Sequence, residues 1–157
     1  MTEQPDDQRL WDALVAAEWE HAHRRAEFYQ QARSRTDVIT AALAGSSADQ
    51  STALRFLAVL PDDVPAVLDR LIELSLSHRW SLEARQAIAP AWRAGRLPDL
   101  PRKVLARLQD ADDDEYRRLA ELLLHLQATA ELHELVKRAE QSTDPDIREV
   151  ADDFAAH

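Results

Sequence analysis

The chain has 157 residues, 29 acidic against 19 basic side chains for a net charge of −10, no cysteine, and two glycines beside seven prolines. The missing cysteine excludes a disulfide framework, a thiolate nucleophile and any cysteine-ligated zinc or iron–sulfur centre, and two glycines exclude phosphate-cradling glycine-rich loops. No stretch nears the ~18 uninterrupted apolar residues of a membrane span, and the opening MTEQPDDQRLWD has no basic segment leading into an apolar one. The expectation is a cytoplasmic protein without membrane contact.

Ala, Leu, Arg and Glu dominate the composition, and these residues lose few rotamers on entering a helix. Lysine occurs only at Lys103 and Lys137; with so much alanine, that bias points to a GC-rich bacterial genome. Acidity is concentrated late. Residues 1–36 carry 7 acids and 5 bases, residues 37–96 carry 7 and 6, and residues 97–157 carry 15 and 8. A field of that sign repels phosphate backbones and attracts basic protein surfaces, so nucleic acid is not the expected partner.

From Gln8 to about Arg33, within a segment 8–35, the spacing predicts one long helix. Leu10, Leu14, Ala17, Ala22 and Ala26 recur at helical intervals, and Trp11, Val15 and Trp19 form a second stripe. The chain then breaks into shorter pieces. Thr36-Asp37 is suited to cap a helix through Val38, Ile39, Ala42 and Leu43 that stops at Gly45-Ser46-Ser47. Asp49 or Ser51 opens the next, with Ala53, Phe56, Leu57 and Leu60 before Pro61. Val67, Leu68, Leu71, Ile72 and Leu74 follow, and Ser81 is placed to cap a helix ending at Gly95. Leu100–Leu108, Asp112–Leu126, Thr129–Gln141 and Asp144–Ala156 complete about nine helices, with no strand pattern.

An internal repeat organises residues 36–157. Tyr116-Arg117, Ala120 and Leu123 match Ile147-Arg148, Ala151 and Phe154 at an offset of 31, and Ala84-Arg85 and Ile88 precede Tyr116-Arg117 and Ala120 by 32. Two helices per unit at this period indicate stacked helix pairs, because one pair cannot bury its own apolar face. Ser142-Thr143-Asp144-Pro145-Asp146-Ile147-Arg148-Glu149-Val150-Ala151 resembles the inter-helix turn and second helix of a HEAT repeat, and Asp110–Ala120 is a looser version. The resemblance covers residues 37–157 and weakens towards the N-terminus. It implies a single all-α domain, an α-α superhelix (HEAT-like solenoid) carrying a long N-terminal helix. It is nearly silent about function, since such repeats serve scaffolds, adaptors and a few enzymes.

Candidate sites follow from that frame. In HEAT-like stacks the second helices line the concave surface. Here they would present Arg118, Glu121 and His125 in one repeat and Glu149, Asp152 and Asp153 in the next, an acidic groove for a basic protein partner. The alternative is an ordinary solvated helix face. Trp80, in the longest connection, either staples the following helix or anchors a partner. Arg85, Arg117 and Arg148 hold equivalent repeat positions, and the resemblance implies that they pair with turn aspartates such as Asp112 and Asp144. Glu18, Glu20, His21, His23 and Glu27 have spacings that could hold a metal from one helix face, but no second helix supplies further ligands and surface pairs with Arg24 and Arg25 explain them as well.

No nucleophile–base motif occurs, so the expectation is a protein-binding module rather than an enzyme, with no cofactor. A small acidic immunity or antitoxin protein is one version of it. A HEAT-like DNA glycosylase would require a basic groove flanked by Trp11, Trp80 or Trp92. A third reading is a structural subunit forming a homo-oligomer through its terminal helix, residues 144–157.

Overall fold

The structure, a computed structural model, describes residues 6–157; residues 1–5, and with them the start of the polar opening stretch, lie outside the described residues. The chain divides into two compact units, one running to Val38 and the other Ile39–His157. Among the described residues the secondary structure is helical throughout, with nine α-helices, one 3-10 turn and no strand. No helix is long and apolar enough to cross a membrane.

The first unit is built around α1 (Asp7–Gln31). Asp6 caps it by accepting from the Gln8 amide at 3.2 Å, and no glycine or proline interrupts it. On its back face Arg24 reaches Glu20 at 2.7 Å and Glu27 at 2.9 Å, pairs one turn apart that brace a solvated helix. Its final turn is held by Arg35, which donates to the Tyr29 carbonyl at 2.9 Å with its guanidinium 4.5 Å from the Tyr29 ring centre. No residue of α1 is buried.

The helix α2 (Arg35–Leu43) leads into the second unit, which continues with α3 (Ser47–Val59), a 3-10 turn at Pro61–Asp63, α4 (Val64–Leu76), α5 (Ser81–Arg93), α6 (Leu100–Arg107), α7 (Asp113–Leu126), α8 (Thr129–Glu140) and α9 (Pro145–Phe154). The start of α3 differs from the expected Asp49 or Ser51. Ser46 is its cap, accepting from the Asp49 amide while the Asp49 carboxylate takes the Ser46 amide, a reciprocal arrangement that satisfies two free N–H groups at once. Gly45 just ahead keeps that cap uncrowded, because a Cβ there would stand 3.0 Å from Asp49 Oδ2 and 3.3 Å from the Ala42 carbonyl.

The core explains the composition of each helix. Ala84, Ala87, Ala89 and Ala91 of α5 are buried together with Ile88, and α5 packs against α3, α4 and α7. Small residues let three neighbours approach one helix closely. Leu119, Leu122 and Leu123 of α7 are fully buried, and α7 packs against α5, α8 and α9. The helices α4, α6 and α8 also contact one another in succession. One polar side chain, Ser75, is completely enclosed; its hydroxyl donates to the Ile72 carbonyl at 2.6 Å, which removes the penalty of burying it.

Two helix ends repeat one device 32 residues apart. After α5 the Arg96 amide donates to the Ala91 carbonyl and the Gly95 amide to that of Trp92; after α7 the Ala128 amide donates to Leu123 and Gln127 to Leu124. Both turns need a left-handed residue, supplied by Gly95 at φ 68° in one and by Gln127 at φ 57° in the other. The Trp92 indole nitrogen then donates to the Leu126 carbonyl at 3.0 Å, tying the end of α5 to the end of α7.

Candidate protein-binding face

The exposed sides of α5, α7 and α9 carry most of the expected partner-binding residues, and the structure divides them into paired and unpaired sets. Glu121 on α7 is engaged by the Arg85 guanidinium of α5, whose side chain is only 12% exposed. Asp153 on α9 accepts from Arg117 of α7 at 2.6 Å, in a pair open to solvent. Both pairs span 36 residues, so each arginine reaches an acid two helices further along the chain, from α5 to α7 and from α7 to α9, rather than one in its own turn. Similar bonds join α4 to α6, where Asp69 meets Lys103 at 2.6 Å and Glu73 meets Arg107 at 3.6 Å. Arg96 pairs with Asp62 in the same manner, 34 residues back.

This corrects the expected arginine–aspartate pairing at the turns. Asp112 and Asp144 are occupied as helix caps, accepting from the amides of Glu115 at 2.8 Å and Asp146 at 2.9 Å. A carboxylate that serves its own helix start is already satisfied by backbone donors and the helix dipole. Arg85 and Arg117 therefore find acids further along the neighbouring helix, and Arg148 donates to the Ser142 carbonyl instead.

The other named residues fall as follows. Arg118 lies half-buried with its guanidinium 2.6 Å from His78 Nδ1, which anchors the α4–α5 connection to α7. His125 is half-buried; burial first, then the positive charges of Arg85 and Arg93, hold its imidazole below the usual range. Glu149 and Asp152 on α9 are exposed and form no ion pair among the described residues. Glu149 nevertheless contributes, after Asp153, to raising the Arg117 pKa. The face is thus graded, with Arg85, Arg93 and His125 at its α5–α7 side and the carboxylates Glu149 and Asp152, which form no ion pair among the described residues, on α9.

Trp80 does not precede a Ser81 cap as expected. It occupies the cap position itself, and its amide donates to Ser77 Oγ at 3.0 Å while that hydroxyl donates to the Leu74 carbonyl at 2.8 Å. The serine at the end of α4 closes the turn, and α5 starts without a side-chain cap. Arg79 covers the indole at 5.0 Å from its centre, leaving Trp80 half-buried.

Of two further surface features, the first escaped sequence reasoning and the second was read as a pattern without its exposure. A surface hollow is lined by Arg102, Leu105, Leu108, Tyr116 and Arg138, but Arg102 bonds Asp99 and Arg138 bonds Glu134 and the Leu105 carbonyl. The second is the apolar stripe of α1, where Trp11 is 60% and Trp19 76% exposed, with Leu10, Leu14 and Val15 also open. The available signal was two tryptophans eight residues apart, flanking Val15, on a helix outside the repeats. Among the described residues no three His, Asp or Glu side chains come together as a metal ion would require. Comparison of the chain with known protein families, with curated proteins and with solved structures finds no match.

Proposed function

We propose that residues 39–157 form a HEAT-like helical-repeat module, an α-α superhelix, that acts without catalysis by binding a protein partner with a basic surface. The observation that carries this reading is the succession of ion pairs at near-constant separation. Asp62–Arg96, Asp69–Lys103 and Glu73–Arg107 each span 34 residues, and Arg85–Glu121 and Arg117–Asp153 span 36. Bonds of that regularity are what stacked repeats make with their neighbours. They consume charges between helices and leave Glu149 and Asp152 as the unpaired acids among the residues named on α7 and α9.

Electrostatic complementarity of this kind favours fast association and is weakened by salt. An immunity or antitoxin protein in the cytoplasm, neutralising a basic toxin, is the version best matched to the net charge of −10. A nucleic-acid-acting enzyme has less support. Two of the tryptophans it would use are engaged elsewhere, Trp92 on the Leu126 carbonyl and Trp80 beneath Arg79, and Trp11 lies on α1 beside the acidic Asp7 and Asp12.

The test is capture of partners by the tagged full chain from native lysate at low and high salt, followed by titration of each captured protein. The expected result is a basic protein, released by salt, whose affinity falls about tenfold or more for the Glu149→Arg/Asp152→Arg variant. An affinity unchanged by that double reversal, or a partner that is nucleic acid, would overturn the reading.

A further inference from the structure

We propose that α1 is a self-association helix, pairing antiparallel with α1 of a second copy of this chain. The proposal is independent of the function assigned to residues 39–157. Leu10, Trp11, Leu14, Val15 and Trp19 are between 40% and 76% exposed along one side of a helix that buries nothing. A contiguous apolar stripe of this size marks an interaction site. Each indole buries roughly 150–250 Å² when covered. The four tryptophans of a symmetric pair, with its leucines and valines, bring the buried surface to on the order of 1,000 Å², where specific interfaces begin.

Charge selects the occupant and its direction. Asp7 and Arg25 are 18 residues apart, which is five full turns and about 27 Å, so both lie on the same line of the helix as the stripe. A parallel pair would set Asp7 against Asp7 and Arg25 against Arg25. An antiparallel pair centred on Ala16 sets Asp7 of each copy against Arg25 of the other and closes both ends with opposite charges. The same polarity runs through the helix. Asp7, Asp12 and Glu18 outnumber Arg9 in its first half, whereas in the second Arg24 and Arg25 balance Glu20 and Glu27 and leave it neutral.

That register also places the largest side chains. Trp11 of one copy comes opposite His21 of the other, above the gap between Glu18 and Ala22. A hollow lined by Glu18, Trp19 and Ala22 is present there, with the small alanine leaving space for an indole. Knobs entering such four-residue holes are how paired helices interlock. Glu18 is the discordant residue, a carboxylate within the stripe and opposite Leu14 of the second copy.

Sedimentation equilibrium of the full chain across micromolar concentrations tests this. A reversible dimer is expected, and Trp11→Glu should raise its dissociation constant about thirtyfold or more, the scale of a lost tryptophan anchor, without changing the circular dichroism spectrum. Asp7→Arg and Arg25→Asp should each weaken the dimer about tenfold, and the two together should restore it. Glu18→Leu should tighten it. A monomer at every concentration overturns the proposal, as does a dimer indifferent to Trp11→Glu, which would place the contact elsewhere. Failure of the double charge swap to restore binding overturns the antiparallel register.

Discussion

The helices α1 and α7 are both apolar along one side, yet they meet opposite fates. In α7, Leu119, Leu122, Leu123 and Leu126 are enclosed by α5, α8 and α9, whereas in α1 Leu10, Leu14 and both tryptophans remain open. Helical periodicity states which side of a helix seeks cover. It does not state whether the cover comes from the same chain. Residues 39–157 supply their own, because neighbouring helices there bury their apolar sides against one another. Nothing comparable follows from the sequence of α1, whose residues do not share the repeat.

The largest expected effect puts that contrast directly to the test. Leu119→Ala should destabilise the fold by about 2–5 kcal/mol through lost burial and the cavity it leaves, measured by urea unfolding followed in the far ultraviolet. Trp19→Ala, examined at a concentration too low for self-association, should shift stability by less than about 0.5 kcal/mol despite removing a larger side chain. Equal effects would mean that α1 is buttressed like α7.

A smaller effect compares two helix ends within residues 39–157. Gly95 and Gln127 perform the same left-handed turn, and nothing lies within 4 Å of where a Gly95 Cβ would stand, so a side chain there is penalised by backbone conformation alone. Gly95→Ala should therefore destabilise, and Gln127→Gly stabilise, each by about 1 kcal/mol in thermal unfolding. Both changing in one direction would break the equivalence of the two turns.

The smallest effect concerns pH. His125 has its folded pKa depressed below 6.5 by burial and by Arg85 and Arg93, with Glu121 already committed to Arg85. The unfolded chain then binds the proton more readily. The associated stability is present above pH 6.5 and is lost as pH falls through the folded value. His125→Gln should flatten that part of the melting-temperature profile; an unchanged slope would assign it to other groups.

Much of the helical pattern was legible. Pro61, Gly95 and Pro98 punctuate the chain where helices end, and Asp112 and Asp144 sit where helix starts demand acceptors. The finer assignments were not. Whether Asp144 serves a cap or an arginine depends on which donor lies nearer, and the backbone amide two residues away always lies near. Ser46 displaced Asp49 as a cap because the two act jointly, which spacing shows only once the turn is formed. The candidate face was half legible. Its residues were named, but that Glu121 and Asp153 are neutralised while Glu149 and Asp152 are not required knowing which helices adjoin.

The sequence alone therefore determined the all-helical character and the segments that become helices, though not every terminus, since breakers and helix propensity act within a few residues. Pairings across 34–36 residues, such as Arg85 with Glu121 and Asp69 with Lys103, were decided only by tertiary structure. So was the exposure of Trp11 and Trp19. Burial and ion pairing depend on what lies opposite in space, and a local pattern of side chains carries no record of its neighbour.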